Sequence, residues 1–347
     1  MLADPNVWVV VLAGGIGSRF WPVSTPARPK QLLPLASNQP LIVDTIERAR
    51  ALVPDARIRI LAGEHLARPF AGVLHGFPAD GYWIEPQARG TAPVLAWAAE
   101  KLARIDPEAV MVSLHADHLI RPVDAFERTV AAAVRVAREN GALVCIGVPP
   151  DRVETGYGHV EPGPPIDAGE GMQAFRVHAF HEKPDPATAQ RYVDQGYLWN
   201  TGIFVWKASV LLDEIARHAP EIAPYLPLIS RSDQAFFEAV PVSVIDRAIM
   251  ERSERVATVR ATFTWDDVGS WEALSRTRPS DAQGNVSVGT SRAVDARGNV
   301  VFAEEGEVVL FGVEDLVVVR TGDKTLVLPR DRAADLKTLL GELEKKR

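Results

Sequence analysis

The sequence contains a single cysteine, Cys145, within the apolar run from residue 142 to 148. A disulfide within the chain is therefore impossible, and this cysteine usage fits a reducing cytoplasm, where we expect the protein to work. We expect the thiol to be buried in a strand.

Long hydrophobic runs are also missing. The apolar run near the N-terminus covers only residues 7–13, and no basic segment precedes it. Such a run is too short for a signal peptide or a transmembrane span. We therefore expect no membrane association.

The chain lacks an excess of basic charge as well. Its formal net charge is −7 at pH 7, which argues against nucleic-acid binding, because that requires a basic face. An anionic substrate would have to be met by local cations. With 347 residues, 47% of them hydrophobic, the chain can form one large domain or two smaller ones with a full core.

A glycine-rich turn follows the first apolar run, which itself predicts a buried strand. Gly14, Gly15 and Gly17 lie within four residues, and glycine lets backbone N–H groups turn toward an anion without a side chain in the way. Two cations, Arg19 and Lys30, follow closely. This combination predicts a site for a polyphosphate.

Two common phosphate loops are excluded. A Walker A loop ends in Gly-Lys followed by Ser or Thr, which this segment lacks. The dinucleotide fingerprint fails because Phe20 stands where its third glycine should be, so a Rossmann oxidoreductase is excluded too. For the glycines alone, a tight turn without function is the alternative, and the two cations favour the phosphate site.

Apolar and amphipathic segments alternate through the first half of the chain. Strands are predicted at residues 8–13, 57–62, 109–114 and 143–148, and helices at residues 41–52, 91–105 and 123–140. This alternation predicts an α/β fold, a Rossmann-like and mostly parallel sheet with helices on both faces. Ligands of such sheets bind at the carboxyl ends of the strands, where the glycine loop lies.

The later part of the chain is less regular. Strands are predicted at residues 156–160, 173–181 and 199–206, helices near 186–195 and 209–218, and a loop at 161–165. After about Pro279, short valine-rich runs alternate with glycine and asparagine, which predicts a small β-rich, β-helix-like domain closed by a helix from Arg332. We therefore divide the chain into domains at residues 1–280 and 281–347.

Two further segments carry polar residues typical of a ligand site. In the first, Glu85 and Arg89 precede Thr91, which could cap the following helix. In the second, Asp117 follows a predicted strand and is well placed to hold Mg²⁺, which favours one or two carboxylates plus substrate oxygens. A turn aspartate is the alternative. The flanking histidines have His-x-x-His spacing, but zinc would need further ligands that are not visible nearby.

Four more polar segments follow. They are residues 155–160, where glycines allow a ligand close to the backbone, residues 180–184 with Glu182 and Lys183, residues 198–204 with Asn200, and residues 263–271 with Asp266 and Asp267. A β-bulge is the alternative for the first, and a solvated surface pair for the second. Adjacent carboxylates in extended backbone point opposite ways, so only one of the two aspartates should face a site.

In this order, the segments between residues 8 and 275 resemble the mannose-1-phosphate guanylyltransferases, a family of sugar nucleotidyltransferases. The segments Phe20-Trp21-Pro22 and Pro29-Lys30-Gln31 carry much of the resemblance, and the β-rich tail resembles the family's C-terminal extension. The resemblance implies that residues 1–280 transfer GMP from GTP to α-D-mannose 1-phosphate, giving GDP-mannose and pyrophosphate. It also implies a divalent cofactor, Mg²⁺ above others, and we expect a homodimer paired through the tail.

The resemblance further implies roles for individual residues. Arg19, Lys30 and Lys183 would be catalytic, and Asp117 and Asp267 would hold the metal. The sugar phosphate would be bound by Gly158, Glu182, Lys183 and Asn200. The nucleotide would be bound by Leu12, Ala13, Gly14, Gly15, Gly17, Ser18, Glu85, Arg89, Thr91 and Ala92.

The chain departs from the family pattern at several positions. Gly90 replaces an asparagine, so any contact from that side chain is missing, and His159 stands where an aromatic residue is common. Asp266 occupies a position that is usually small or polar, and we expect it to face solvent. Longer members continue with an isomerase domain, an activity that we do not expect from a chain ending at Arg347.

Two alternative functions stay open. One is another nucleotidyltransferase of sugar 1-phosphates, such as one that joins glucose 1-phosphate to UTP or dTTP. The other is a non-catalytic regulatory protein that binds nucleotide sugars. The resemblance favours mannose and guanine over the first, and the presence of all the implied cations and carboxylates argues against the second.

Overall fold

A mixed nine-stranded sheet lies at the centre of the part of the chain described by the computed structural model, which is residues 2, 4–15, 17–169 and 171–345. The strands of this sheet, together with β5 and β11 of a separate two-stranded ladder, are β1 (Val7–Leu12), β2 (Ile58–Gly63), β3 (Tyr82–Glu85), β4 (Val110–His115), β5 (Leu119–Arg121), β6 (Leu143–Val148), β7 (Gly158–Ile166), β8 (Ala174–Glu182), β9 (Leu198–Lys207), β10 (Val256–Arg260) and β11 (Thr264–Asp266).

The strand order is β3-β2-β1-β4-β9-β6-β10-β8-β7. The first four strands run parallel, as do β6 and β10. β9 runs antiparallel to both of its long neighbours, and β7 and β8 form an antiparallel pair at the far edge. The parallel half carries the carboxyl ends at which the glycine loop and Asp117 lie.

Helices cover both faces of the sheet. They are α1 (Leu41–Leu52), α2 (Glu64–Val73), α3 (Thr91–Ile105), α4 (Val123–Asn140), α5 (Pro186–Asp194), α6 (Ala208–His218), α7 (Leu226–Ile229), α8 (Asp233–Ala239), α9 (Leu274–Thr277) and the terminal α10 (Leu336–Lys345). A single π-helical turn, Asp246–Met250, lies between α8 and β10 in the described chain.

β1 shows why the strands could be predicted. Val7, Val9 and Val11 belong to the core on the side of α1 and α4, while Trp8 and Val10 belong to the core on the side of α3 and α6. Each β1 residue is buried, because helices cover both faces. A strand buried on both faces is a continuous apolar run, which is the pattern that the sequence shows.

A four-stranded sheet follows in the C-terminal part, made of β12 (Val286–Val294), β13 (Val300–Phe311), β14 (Leu316–Thr321) and β15 (Lys324–Pro329). The first three run parallel and β15 returns antiparallel to β14. Two buried asparagines join the turns between them. Asn299 donates to the Oδ1 of Asn285 at 2.9 Å and accepts the N–H of Leu316 at 3.0 Å.

This small sheet shares a core with the glycine loop. Phe20, at the end of the loop's 3₁₀ turn, packs edge-on against Trp271 with ring centroids 5.0 Å apart. Trp271 in turn lies 5.0 Å from Phe302 of β13, and its indole N–H donates to the carbonyl of Trp21. The C-terminal sheet therefore supports the segment predicted to bind phosphate.

The predicted α/β class with a small β-rich C-terminal domain is confirmed, and so is the burial of Cys145 in β6. α2, β3 and β10 were not predicted. The predicted loop at 161–165 is wrong, because those residues continue β7. Pro162 and Pro165 lie beside shifts in the register with β8, and irregular pairing of this kind is where a sheet tolerates proline. The boundary at residue 280 stays a prediction.

No helix within the described residues is long and apolar enough to cross a membrane.

We expect Asn299→Ala to destabilise the fold, since it removes the side chain that joins two turns of the small sheet and leaves buried backbone groups unpaired. The expected loss is about 2–3 kcal/mol of unfolding free energy, measured by urea denaturation. Asn140→Ala at the exposed end of α4 is the matched control and should change stability by less than about 0.5 kcal/mol. Equal effects of the two variants would contradict the structural role of Asn299.

Candidate active site

Two carboxylates reach the same place because of a short antiparallel ladder. β5 pairs with β11 in a register that sets Leu119 opposite Asp266. Asp117 lies two residues before Leu119, and Asp267 lies one residue after Asp266. Continuing the ladder therefore brings Asp117 and Asp267 together, as the sequence motifs predict.

The ammonium group of Lys30 lies between them. Its Nζ is 3.0 Å from Oδ2 of Asp117 and donates to the backbone carbonyl of Asp267 at 2.7 Å. The Lys30 side chain is only 8% exposed, so the ion pair is shielded from solvent. Burial acts to raise the pKa of Asp117, but Lys30, together with His118 and His115, outweighs it and holds that pKa below its usual range.

The carboxylate of Asp267 has a different partner. The hydroxyl of Tyr157 donates to its Oδ1 at 2.6 Å. Burial holds the pKa of Asp267 above its usual value, although Lys30 and the Tyr157 hydroxyl act in the opposite direction. Burial also raises the pKa of Tyr157, so the phenol keeps its proton and fixes the orientation of the carboxylate.

Hydrogen bonds to its carbonyl groups hold the glycine loop in place. The buried side chain of Gln31 donates to the carbonyls of Gly14 and Gly15 at 2.9 and 3.3 Å. Among the described residues, none accepts a hydrogen bond from the N–H of Gly14 or Gly15. Gly17 has a φ of 67°, and a Cβ there would collide with the Cβ of Lys30. The loop can thus lie against Lys30 with N–H groups free for an anion.

A larger cleft, about 1380 Å³ in volume, opens beside these residues. Arg19, Lys183 and Asp267 line it on one side, and residues 314–316, 329–331 and 333–334 of the C-terminal part line it on the other. Arg19 is exposed, and within the described chain no hydrogen bond or ion pair engages its guanidinium. Arg19 therefore lines the cleft as a cation that no described residue pairs with.

A smaller cavity of about 310 Å³ adjoins this cleft. It is lined by seven of the predicted site residues, which are Leu12, Thr91, Gly158, Glu182, Lys183, Asn200 and Asp267. Lys183 and Asp267 line both spaces, so they stand where the two meet. The fold thus brings together residues that are spread over more than half of the chain.

Residues of β7, β8 and β9 pack closely together where they line the smaller cavity. Gly158 leaves room for a neighbouring carboxylate, since a Cβ there would come 3.0 Å from Oε2 of Glu182. Lys183 has a φ of 52° and pairs with Glu182. Such a conformation is uncommon outside glycine and clusters at functional sites. Asn200 accepts the N–H of Gly202 and donates to Oδ1 of Asp246 at 2.9 Å.

The residues predicted to contact the base form a separate network. The guanidinium of Arg89 donates to the carbonyls of Phe237 and Glu238, at 2.6 and 3.0 Å. Glu85 accepts the N–H of Arg89 at 3.3 Å, and burial raises the pKa of Glu85. Neither residue lines either cavity described above. Their role at the base stays a prediction. In the structure, the hydrogen bonds of Arg89 hold the C-terminal end of α8.

Thr91 does not cap its own helix, so that prediction is wrong. Its hydroxyl accepts the N–H of Ile245 at 2.9 Å, and the N-cap of α3 is Gly90. Gly90 has a φ of 85°, and a Cβ there would collide with the carbonyl of Ser243. Ala92 donates its N–H to that same carbonyl at 3.2 Å. The start of α3 is therefore docked onto residues 243–245.

The other predicted nucleotide residues, Ala13 and Ser18, lie within the loop. Ala13 is buried and its N–H donates to the carbonyl of Leu61 at 2.9 Å, and Ser18 begins the 3₁₀ turn that ends at Phe20.

Asp266 does not face solvent, and that expectation is corrected. It is 5% exposed, its Oδ2 pairs with Nε of Arg276 at 2.8 Å, and its Oδ1 accepts the N–H of Val268. The two adjacent aspartates do point to different sides, as extended backbone requires. The side opposite Asp267 is covered by Arg276 and not by water.

Asp117 and Asp267 offer carboxylate oxygens at this place, whereas neutral His118 offers no lone pair. Within the described residues, His115, Asp117 and His118 have ligand atoms within 4.8 Å of one another. The indole N–H of Trp265 donates to Nδ1 of His118 at 3.1 Å, so neutral His118 carries its proton on Nε2 and has no lone pair left for a metal. Asp117 and Asp267 supply the hard oxygen ligands that suit Mg²⁺-like cations.

Comparison with known proteins identifies the family of the chain. Residues 8–284 match the family model "Nucleotidyl transferase", and residues 289–343 match "MannoseP isomerase/GMP-like beta-helix domain". The chain is 36% identical to mannose-1-phosphate guanylyltransferase of Escherichia coli K12, covering 99% of this chain and 74% of that protein. It is 35% identical to the alginate biosynthesis protein AlgA of Pseudomonas aeruginosa, covering 96% and 72%.

A crystal structure from Thermus thermophilus, described as mannose-1-phosphate geranyltransferase, superposes with a TM-score of 0.88 at 34% identity, covering 98% of this chain and 99% of that one. The chain belongs to the mannose-1-phosphate guanylyltransferase family. Members of this family are nucleotidyltransferases with a C-terminal β-helix domain, and nucleotidyltransferases typically use a divalent metal ion.

Three residues near the family's motifs were missed by sequence reasoning. Tyr157 stands between two glycines and could have been found from that segment. Arg152, which stacks on Trp199 at 4.8 Å and donates to the Tyr157 hydroxyl, has no local signal. Asp246 has none either, since it reaches the cavity only because residues 243–245 dock onto the start of α3.

We expect Lys30→Met to destabilise the protein in the absence of divalent cation, because it leaves the partly buried Asp117 unpaired. The expected loss is about 3–5 kcal/mol. Added Mn²⁺ should recover more stability in this variant than in the wild type, since the cation can then occupy the position of the ammonium group. Thermal unfolding with and without Mn²⁺ measures both effects.

Lys207→Met is the matched control, since it removes a lysine from an exposed pair with Glu108. It should change stability by less than about 1 kcal/mol with or without Mn²⁺. If Lys30→Met gained no more from Mn²⁺ than the control does, Lys30 would not occupy a cation site.

Proposed function

We propose that this chain transfers GMP from GTP to α-D-mannose 1-phosphate, with GDP-mannose and pyrophosphate as products. The observation that carries the proposal is the meeting of Lys30, Asp117 and Asp267 beside a cavity lined by Glu182 and Asn200. The ammonium and carboxylate groups suit a polyphosphate with its metal ion. The groups of the neighbouring cavity suit the hydroxyl groups of a sugar.

In the proposed reaction, an oxygen of the sugar phosphate attacks the α-phosphorus of GTP in line. The bond from the α-phosphorus to the bridging oxygen of the β-phosphate breaks, and pyrophosphate leaves with the electron pair. A phosphate monoester is already an anionic nucleophile near neutral pH, so no serine, cysteine or histidine nucleophile is required. The difficulty is to bring two polyanions together.

Three cations would overcome that repulsion. Arg19 and Lys30 would stabilise the charge that builds on the β- and γ-phosphates. Lys183, at the junction of the two spaces, would hold the attacking phosphate beside the α-phosphorus. Orientation of this type can contribute about 7–11 kcal/mol in favourable systems. The free N–H groups of the glycine loop would bind phosphate oxygens.

Asp117 and Asp267 would hold the divalent cation, for which we propose Mg²⁺. When bound, Mg²⁺ would neutralise α-phosphate charge and orient the reacting groups. The Tyr157 hydroxyl would keep the Asp267 carboxylate in its orientation. The ammonium group of Lys30, which now contacts Asp117, would be free to turn toward the phosphates.

We expect Lys30→Ala and Asp267→Ala each to lower turnover about a hundredfold or more, because each removes a charge that acts on the phosphates. Asp213→Ala, on the exposed face of α6, is the control and should keep wild-type turnover. Pyrophosphate release with saturating GTP and mannose 1-phosphate measures all three. A near-wild-type rate for either site variant would remove that residue from the mechanism.

The substrate pair is tested by pyrophosphate release in the presence of Mg²⁺. The grid sets GTP, ATP, UTP, CTP and dTTP against the 1-phosphates of mannose, glucose, fucose and N-acetylglucosamine. A dominant rate for GTP with mannose 1-phosphate supports the proposal. A dominant rate for another pair keeps the phosphate chemistry and overturns the substrate assignment.

We also propose a homodimer that works in the cytoplasm and binds neither nucleic acid nor membrane. Support for the dimer comes from an apolar edge on the small sheet. Phe311 is 74% exposed and Val309 60% exposed, and Val294, 56% exposed, stands opposite Phe311 in the strand register. A second copy would cover these side chains.

We expect Phe311→Glu to convert the dimer to a monomer, because it introduces a charge into the proposed contact. Light scattering coupled to gel filtration measures the mass. Val242→Glu, at a 69% exposed valine of the larger part, is the control and should leave the dimer intact. A wild-type monomer, or a Phe311→Glu dimer, would overturn this assignment.

A further inference from the structure

Asp246 lies on the wall of the smaller cavity. No sequence motif indicated this carboxylate. It begins the π-helical turn Asp246–Met250. Such turns are rare in proteins and are frequent at functional sites. The same cavity wall carries Glu182 and Asn200, the two residues implied to contact sugar hydroxyls.

Neighbouring contacts fix the position of Asp246 but use only part of its carboxylate. Its Oδ1 accepts the Nδ2 of Asn200 at 2.9 Å. No other residue in the described ranges donates a hydrogen bond to it from a side chain. The preceding residue, Ile245, is anchored by its N–H on the Thr91 hydroxyl. Asp246 is thus held in place from both sides, with acceptor capacity left over.

The negative charge at this position is costly for the folded protein. Burial, together with the charge of Glu182, raises the pKa of Asp246 from 3.8 to about 6, while Lys183 acts to lower it and Glu251 to raise it. An asparagine at position 246 would accept the hydrogen bond from Asn200 equally well and would carry no charge. The contacts within the protein therefore do not explain why a carboxylate stands here.

A ligand that donates hydrogen bonds would explain it. A carboxylate accepts hydrogen bonds from two adjacent hydroxyl groups at once, and a hexose offers such pairs. A site built to bind hydroxyl groups also rejects analogues that lack them, because its polar groups would be left unpaired.

We propose that Asp246 accepts hydrogen bonds from hydroxyl groups of the hexose and, with Asn200 and Glu182, determines which sugar 1-phosphate the site takes. This inference rests on the proposed function, since it assumes that the sugar of a nucleotide sugar occupies the smaller cavity. Asp246 is a binding residue in this assignment and takes no part in the chemistry at phosphorus.

The first test compares GDP-mannose with GDP, using isothermal titration calorimetry on the full chain. We expect Asp246→Asn and Asp246→Ala to weaken GDP-mannose about tenfold or more, and GDP by less than about twofold, because GDP carries no hexose. Glu254→Gln removes an exposed carboxylate nearby and is the matched control, with both affinities unchanged. Equal losses for GDP and GDP-mannose would overturn the proposal.

A second readout separates binding from a structural role. The raised pKa means that ionised Asp246 destabilises the fold above about pH 6, and that this cost fades as the pH falls toward about 4, where the folded and unfolded states are both protonated. Asp246→Asn should therefore raise the melting temperature by about 2–4 °C at neutral pH, and by less near pH 4. A residue kept for structure alone would instead lose stability when replaced.

The outcomes also separate this inference from the proposed function. If the wild type binds GDP-mannose no better than GDP, the assignment of the sugar site fails and Asp246 fails with it. If the wild type prefers GDP-mannose and Asp246→Asn keeps that preference, only the role of Asp246 is overturned. Steady-state kinetics gives a further check, since the KM for mannose 1-phosphate should rise while the KM for GTP stays within about twofold.

Discussion

The site depends on one buried ammonium group. Lys30 joins two segments that lie far apart in the sequence, the turn after β4 and the loop after β11, through Asp117 and the carbonyl of Asp267. Without its charge, the two carboxylates would lie close together with no cation between them, and they would repel each other. In the proposed mechanism, this ammonium group supplies positive charge at the place where the divalent cation would bind.

Much of the fold could be read from the sequence because its physical causes are local. Strands buried on both faces, such as β1, are continuous apolar runs, and α1, α3 and α4 have helical periodicity with their predicted bounds intact. The glycine loop and the aspartate after β4 could also be predicted, since the carboxyl ends of parallel strands collect ligand groups. β7 was cut short because prolines normally end a strand, and only its irregular register tolerates them.

The site details that escaped prediction arise from contacts between distant segments. Thr91 has the residue type and position of a helix cap, yet its hydroxyl serves Ile245. Asp266 lies next to Asp267, which we propose as a metal ligand, and only the folded chain reveals that Arg276 covers Asp266. Asp246 enters the cavity because residues 243–245 dock onto α3, a contact across more than 150 positions that no local pattern encodes.

The contacts among Phe20, Trp271 and Phe302 have a consequence for how the molecule unfolds. These rings are almost fully buried, and they belong to the glycine loop, the segment after β11 and the C-terminal sheet. Loosening the C-terminal sheet would expose the aromatic side chain on which the glycine loop packs. The C-terminal sheet and the larger part should therefore unfold as one cooperative unit. A nucleotide that binds the loop would then protect amide protons of the distant sheet from exchange.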